Sequence, residues 1–218
     1  MSLTDSSPPA DVAAEELAAR LAAKLCHDFI SPAGAIVSGL DLLDDPSAKD
    51  MRDEAMELIA SSARKLTDLL AFSRVAFGAS AGADSFDSAE LGRLTAAVFA
   101  HVRADLDWAI APQSLPKAVG RVLVNLAQLA GAALPTGGVA RVEAARADGW
   151  TITVTATGGR ARLHAEVQAG LAGAPLGEGL AGRWVQAYYA HAIATAAGGR
   201  LGAEADETRV VLRAELPA

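Results

Sequence analysis

The residues best suited to chemistry stand in the run Leu25-Cys26-His27-Asp28-Phe29-Ile30-Ser31-Pro32. A neutral imidazole is a good nucleophile toward phosphorus, and the phosphoramidate it forms is labile enough to pass on. His27 offers that group, and Asp28 directly after it can hold the imidazole in one tautomer. On an ideal helix His27 lies about 200° from Leu25 and about 160° from Phe29, so it points away from the apolar stripe into water. Arg20, Lys24, Ser31 and Ser38 recur beside it at helical spacing, with Gly34 and Ala35 between them. They make a polar, cationic stripe with a floor of small side chains. Pro32 removes a backbone hydrogen bond and should bend the helix just beyond the histidine. The plain alternative is an ordinary solvated histidine. The adjacent acid, the proline and the small residues favour a histidine that meets a partner.

An element must carry these residues. Apolar side chains recur at Leu17, Leu21, Leu25, Phe29, Ile36, Leu40 and Leu43, mostly three or four apart, which predicts one long amphipathic helix over 11–43. Asp44-Asp45-Pro46-Ser47 stops it, and a second helix is expected over 47–75 on Met51, Met56, Ile59, Ala63, Leu66 and Leu70. Two such helices make an antiparallel hairpin, which cannot cover both of its stripes alone. A second copy would complete a four-helix bundle, so a homodimer is expected.

After the small-residue stretch 78–85 the pattern changes. Asp87-Ser88-Ala89-Glu90 reads as a capping box opening a helix to about residue 102, followed by a strand over 106–110. Ser114 and Pro116 should open another helix, to Leu134. Residues 139–146 and 150–157 read as a hairpin around Asp148-Gly149, and a glycine-rich stretch follows. A helix over 180–197 and a last hairpin, 199–205 with 208–216, complete the pattern. The class is α plus α/β: a helical hairpin, then a sandwich of one sheet with helices on one face. The expected division is 1–10 disordered, 11–77 hairpin, 78–85 linker and 86–218 the α/β domain.

Composition narrows the function. The net charge of −7 argues against a nucleic-acid binder, which needs a basic face. One cysteine excludes a disulfide scaffold and a multi-cysteine metal site, and suits a reducing cytosol. The first residues lack the pattern of a signal peptide. Arg121, Asn125 and Gln128 interrupt the most apolar long stretch, so no membrane span is read. The expectation is a soluble cytoplasmic protein.

His27 with its acid, the proline five residues on, and the following Ile36 and Gly39-Leu40 resemble the H-box of sensor histidine kinases. The resemblance covers the whole hairpin, which looks like their dimerisation and phosphotransfer domain. It implies that His27 is phosphorylated and that Asp28 supports it. The second half resembles their ATP-binding (Bergerat) domain in the order of elements. Val122-Leu123-Val124-Asn125-Leu126 and Gly137-Gly138 match the start of the N-box, but Leu129 stands where that family holds Mg²⁺ with an asparagine. Ala156 and Thr157 stand where its adenine-binding aspartate belongs; Gly177-Glu178-Gly179-Leu180 and Gly198-Gly199-Arg200-Leu201 persist. A nucleotide site without its metal ligand and base reader should not bind ATP usefully.

A kinase-like dimer without an ATP site leaves the role of a relay, and residues 11–218 look like the ChpT family of alphaproteobacterial histidine phosphotransferases. The most specific matches are residues 25–32 and Ile59-Ala60-Ser61-Ser62-Ala63-Arg64-Lys65-Leu66. The resemblance implies transfer from the receiver domain of a CckA-like hybrid kinase to CtrA- and CpdR-like response regulators of the cell cycle. No intrinsic cofactor is expected; Mg²⁺ should come with the receiver. The docking face is expected at Arg20, Lys24, Ser31, Pro32, Gly34, Ala35 and Ser38, joined by Arg64. The alternatives are an active histidine kinase or ATPase, and a non-catalytic scaffold that sequesters a response regulator. His101, His164 and His191 read as surface or structural residues without nearby acids, and Trp108, Trp150 and Trp184 as core or inter-domain packing.

Overall fold

The computed structural model describes residues 12–78, 84–111 and 113–218. The expected disorder of 1–10 lies outside these residues, as does most of the 78–85 linker.

Helix α1 spans Ala14–Asp44, an alanine- and leucine-rich run whose first turn carries Glu15 and Glu16 at the positive end of the dipole. Asp45 ends it. Its carboxylate accepts hydrogen bonds from the Ser47 hydroxyl at 2.7 Å and the Ser47 amide at 2.8 Å, which also lowers its pKa. Ser47 is therefore part of a turn rather than a helix start. A 3₁₀ turn at Lys49–Met51 follows, and α2 runs Arg52–Ala76. The two helices touch at Gly39. A Cβ there would stand 2.6 Å from Ile59 Cγ1 and 3.1 Å from the Ala55 carbonyl oxygen.

Strand β1 (Ser85–Asp87) pairs antiparallel with β3 (Ser114–Pro116) in a small separate sheet. Between them lie α3 (Ser88–Phe99) and β2 (Ala104–Trp108). The Asp87 carboxylate caps α3, accepting from the amides of Ala89 at 2.7 Å and Glu90 at 3.1 Å. Residues 114–116 are thus strand, not helix, because their backbone pairs with 85–87; α4 starts at Lys117 and ends at Ala132. The main sheet has the order β2-β4-β5-β7-β6, with β4 Gly138–Arg146, β5 Gly149–Thr157, β6 Arg200–Ala205 and β7 Arg209–Pro217. Only β2 and β4 run parallel, in a register that sets the strand at 104–108 rather than 106–110. Short helix α5 (Ala165–Leu171), unforeseen in the glycine-rich stretch, precedes α6 (Ala181–Ala196).

Trp150, Ile152, Val154 and Ala156 of β5 are buried while its threonines face outward, so the core lies between one sheet face and the helices. At the α4–β4 junction Gly137 and Gly138 have φ of +99° and +136°, and a Cβ on Gly138 would sit 2.3 Å from the Thr157 carbonyl oxygen. That turn alone requires these glycines. Two apolar contacts tie the hairpin to the α/β domain. Phe72 and Ala76 join the main core, and Leu17 and Leu21 lie on Trp184, Val185 and Tyr188 of α6. No helix among the described residues is long and apolar enough to cross a membrane.

Candidate functional site

Helix α1 carries His27 outward, with 88% of its side chain exposed. Its Nδ1 lies 3.6 Å from Asp28 Oδ1, an electrostatic contact rather than a hydrogen bond. The other carboxylate oxygen of Asp28 accepts from Lys24 Nζ at 2.5 Å, one turn back. Lys24 is only 11% exposed, so this ion pair is largely removed from solvent. Nε2 of His27 is the ring nitrogen farther from the acid. A hydrogen-bonded or ion-paired side on Nδ1 leaves Nε2 with the lone pair that can attack phosphorus.

The expected docking residues divide. Ser31, Gly34, Ser38 and Arg64 are exposed, and Ala35 is half-buried. Pro32 is buried within α1 and so offers no surface itself. Arg20 is committed elsewhere: its Nε donates to Glu16 at 3.0 Å, and its guanidinium lies 5.5 Å above the Trp184 ring. Lys24 is held by Asp28. Neither is a free surface cation.

Asn125 is fully buried and donates to the carbonyls of Ala76 at 3.1 Å and Arg121 at 2.9 Å, tying α4 to the end of α2. It also accepts from Gln186 at 3.3 Å. Leu129 lines a cavity between the hairpin and the α/β domain, as do His27, Asp28 and Lys24. Among the described residues no group of three or more His, Cys, Asp or Glu is placed to hold a metal ion.

His101 corrects the sequence reading: its Nε2 lies 2.8 Å from Asp68 Oδ2, a hairpin residue distant in sequence. His191 is structural, with Nδ1 3.0 Å from the Leu171 carbonyl oxygen. Cys26 is exposed. Trp150 and Trp184 are buried, as expected. The sequence reading missed the commitment of Lys24 to Asp28, although the four-residue spacing signals such a pair. That Lys65, Arg162, His164 and Arg183 line one cavity from two domains was not foreseen. No local pattern announces that arrangement.

An outward histidine with an adjacent acid, on a helical hairpin joined to an α/β domain, defines a protein of histidine phosphotransfer type. Residues 88–209 match the family described as the histidine phosphotransferase C-terminal domain. Protein phosphotransferase ChpT of Brucella abortus (strain 2308) is 32% identical over 212 residues, which span 96% of this chain and 100% of that protein. A bacterial phosphotransferase solved at 1.7 Å superposes with a TM-score of 0.85 and 31% identity, over 96% of this chain and 100% of that one. The chain belongs to the histidine phosphotransferase family and is a phosphotransferase.

Proposed function

We propose that this protein is a cytoplasmic homodimeric relay in which His27 takes a phosphoryl group from one receiver domain and gives it to another. The observation that carries the reading is the exposure of His27, with Asp28 on its Nδ1 side. In the forward step the Nε2 lone pair attacks the phosphorus of a receiver's aspartyl phosphate. The bond from phosphorus to the carboxylate oxygen breaks, and the aspartate leaves as a carboxylate. Nδ1 keeps its proton, facing Asp28, so the imidazolium character of the phosphohistidine is balanced by a neighbouring acid. The reverse step passes the group to the aspartate of a second receiver. Positioning the two reactants supplies much of the acceleration, and the receiver brings the Mg²⁺ that screens the phosphoryl oxygens.

By family likeness the donor is the receiver of a CckA-like hybrid kinase, and the acceptors are CtrA- and CpdR-like regulators of the cell cycle. The dimer would bury the apolar residues that one chain leaves exposed on its two long helices, Ile30, Val37, Leu40, Met56 and Leu70 among them.

The test is incubation with a phosphorylated receiver and Mg²⁺. Acid-labile, base-stable label should appear on this protein and be absent from His27→Ala. Label that persists in His27→Ala would end the relay reading. Binding of a regulator without any label would make the protein a sequestering scaffold, and label from ATP alone would make it a kinase.

A further inference from the structure

The cavity between the hairpin and the α/β domain is a half-open cleft of about 750 Å³, a volume suited to a small organic molecule. Its floor is apolar, formed by Val98, Phe99, Leu129, Leu163, Val167 and Leu212. Its rim is cationic. Lys65 reaches it from α2, and Arg162 and Arg183 from the α/β domain. Lys65 and Arg162 form no ion pair among the described residues. Arg183 faces a neutral partner, with Nη1 3.3 Å from His164 Nδ1. Burial, Arg183 and Arg162 together hold the His164 pKa below its ordinary value, so the ring stays uncharged at neutral pH.

Glu166 at the start of α5 offsets part of the Arg183 charge from beside the cavity, and the lining itself adds little more. Among the described residues Asp28 is the one acid lining the cavity, and Lys24 already neutralises that carboxylate. Polar groups on the floor are equally committed: Gln186 Nε2 donates to Gln128 Oε1 at 2.6 Å. A nucleotide base would find few free partners for its edge, and Leu129 offers nothing to a metal–phosphate group. A hydrocarbon body would fit this floor, and an anionic head would fit this rim.

We propose that the cavity is a binding site for a small amphiphilic anion, with one carboxylate-like head held by Arg162 and Arg183 and an aliphatic body lying on the Phe99–Leu129–Leu212 floor. Binding is read without phosphotransfer, so its outcome is separate from that of the relay reading.

The test is calorimetric titration of the full chain with decanoate, below its micellar concentration, and with 1-decanol. Decanoate should bind saturably, and 1-decanol at least about tenfold more weakly. Arg162→Ala with Arg183→Ala should weaken decanoate about tenfold and leave 1-decanol unchanged. Ala132→Trp adds bulk to the cavity wall from an exposed position and should weaken both ligands. Circular dichroism melts establish that the variants remain folded. Three results would overturn the proposal: no saturable decanoate binding by the wild type, decanoate binding indifferent to both sets of substitutions, or ATP displacing decanoate with higher affinity.

Discussion

Asp28 accepts from Lys24 Nζ at 2.5 Å, while its other oxygen stands 3.6 Å from His27 Nδ1. The carboxylate is thus anchored one turn behind the histidine and presents its second oxygen forward. Lys24 also neutralises an acid that would repel the incoming phosphoryl group. Lys24→Met should therefore slow transfer from a receiver about tenfold, a barrier change of about 1.4 kcal/mol. Asp28→Asn should slow it as well, since the amide holds the imidazole less firmly. Because the two act as one unit, the double variant should lose less than the product of the single losses. Rates that multiply independently would show that Lys24 does not work through Asp28.

Dimerisation has its own signature. Leu40 and Met56 are 48% and 50% exposed in the single chain, although both belong to the apolar stripes of a hairpin. Leu40→Glu would place a charge in the core of a four-helix bundle, at a cost of several kcal/mol. In a monomer the same change would cost little. Light scattering should find a dimer for the wild type and a monomer or aggregate for Leu40→Glu. A wild type that is monomeric at micromolar concentration would remove the bundle.

The long helices were legible because their stripes repeat over many turns, and the Asp87 cap because its side chain and the amides it accepts from are sequence neighbours. Elements held together by distant pairing were not legible. Strands β1 and β3 have three residues each and exist only because they meet. The parallel β2–β4 register likewise depends on residues far apart in sequence. The site divides the same way. His27 and Asp28 announce themselves as neighbours, whereas the approach of Asp68 to His101, or the placing of Lys65, Arg162 and Arg183 around one cavity, needs the folded chain.

Stability should depend on pH through His164. Its folded pKa is lowered from 6.5 by burial first, and then by Arg183 and Arg162. As pH falls, the unfolded chain takes up this proton before the folded one does. The neutral ring's contribution is fully present above 6.5, declines as pH drops toward the folded pKa, and is lost below it. Glu166, whose pKa is lowered from 4.5 by backbone hydrogen bonds, including one from the Leu180 amide, acts in a separate and more acidic window. His164→Gln should thus lose less Tm than the wild type between about pH 7.5 and about pH 5.5. An equal loss in both proteins would assign the acid sensitivity to other groups.

Two glycines on α1 separate packing from recognition. A Cβ on Gly39 would meet Ile59 and the Ala55 carbonyl, so Gly39→Ala must push α1 and α2 apart and should destabilise the chain by about 1–3 kcal/mol. A Cβ on Gly34 meets nothing within 4 Å. Gly34→Leu should therefore fold well, and its better helix propensity is worth up to about 1 kcal/mol. Ser38 is exposed one turn further along, and Ser38→Trp should fold equally well. Both bulky side chains nevertheless stand where a receiver helix would approach to bring its aspartate to His27. Gly34→Leu and Ser38→Trp should weaken receiver binding and slow transfer, whereas His27→Ala should abolish transfer and leave binding largely intact. Receiver affinity and transfer rate, measured on the three variants beside their melting temperatures, distinguish these effects. Normal transfer by both bulky variants would move the receiver to another face of the hairpin.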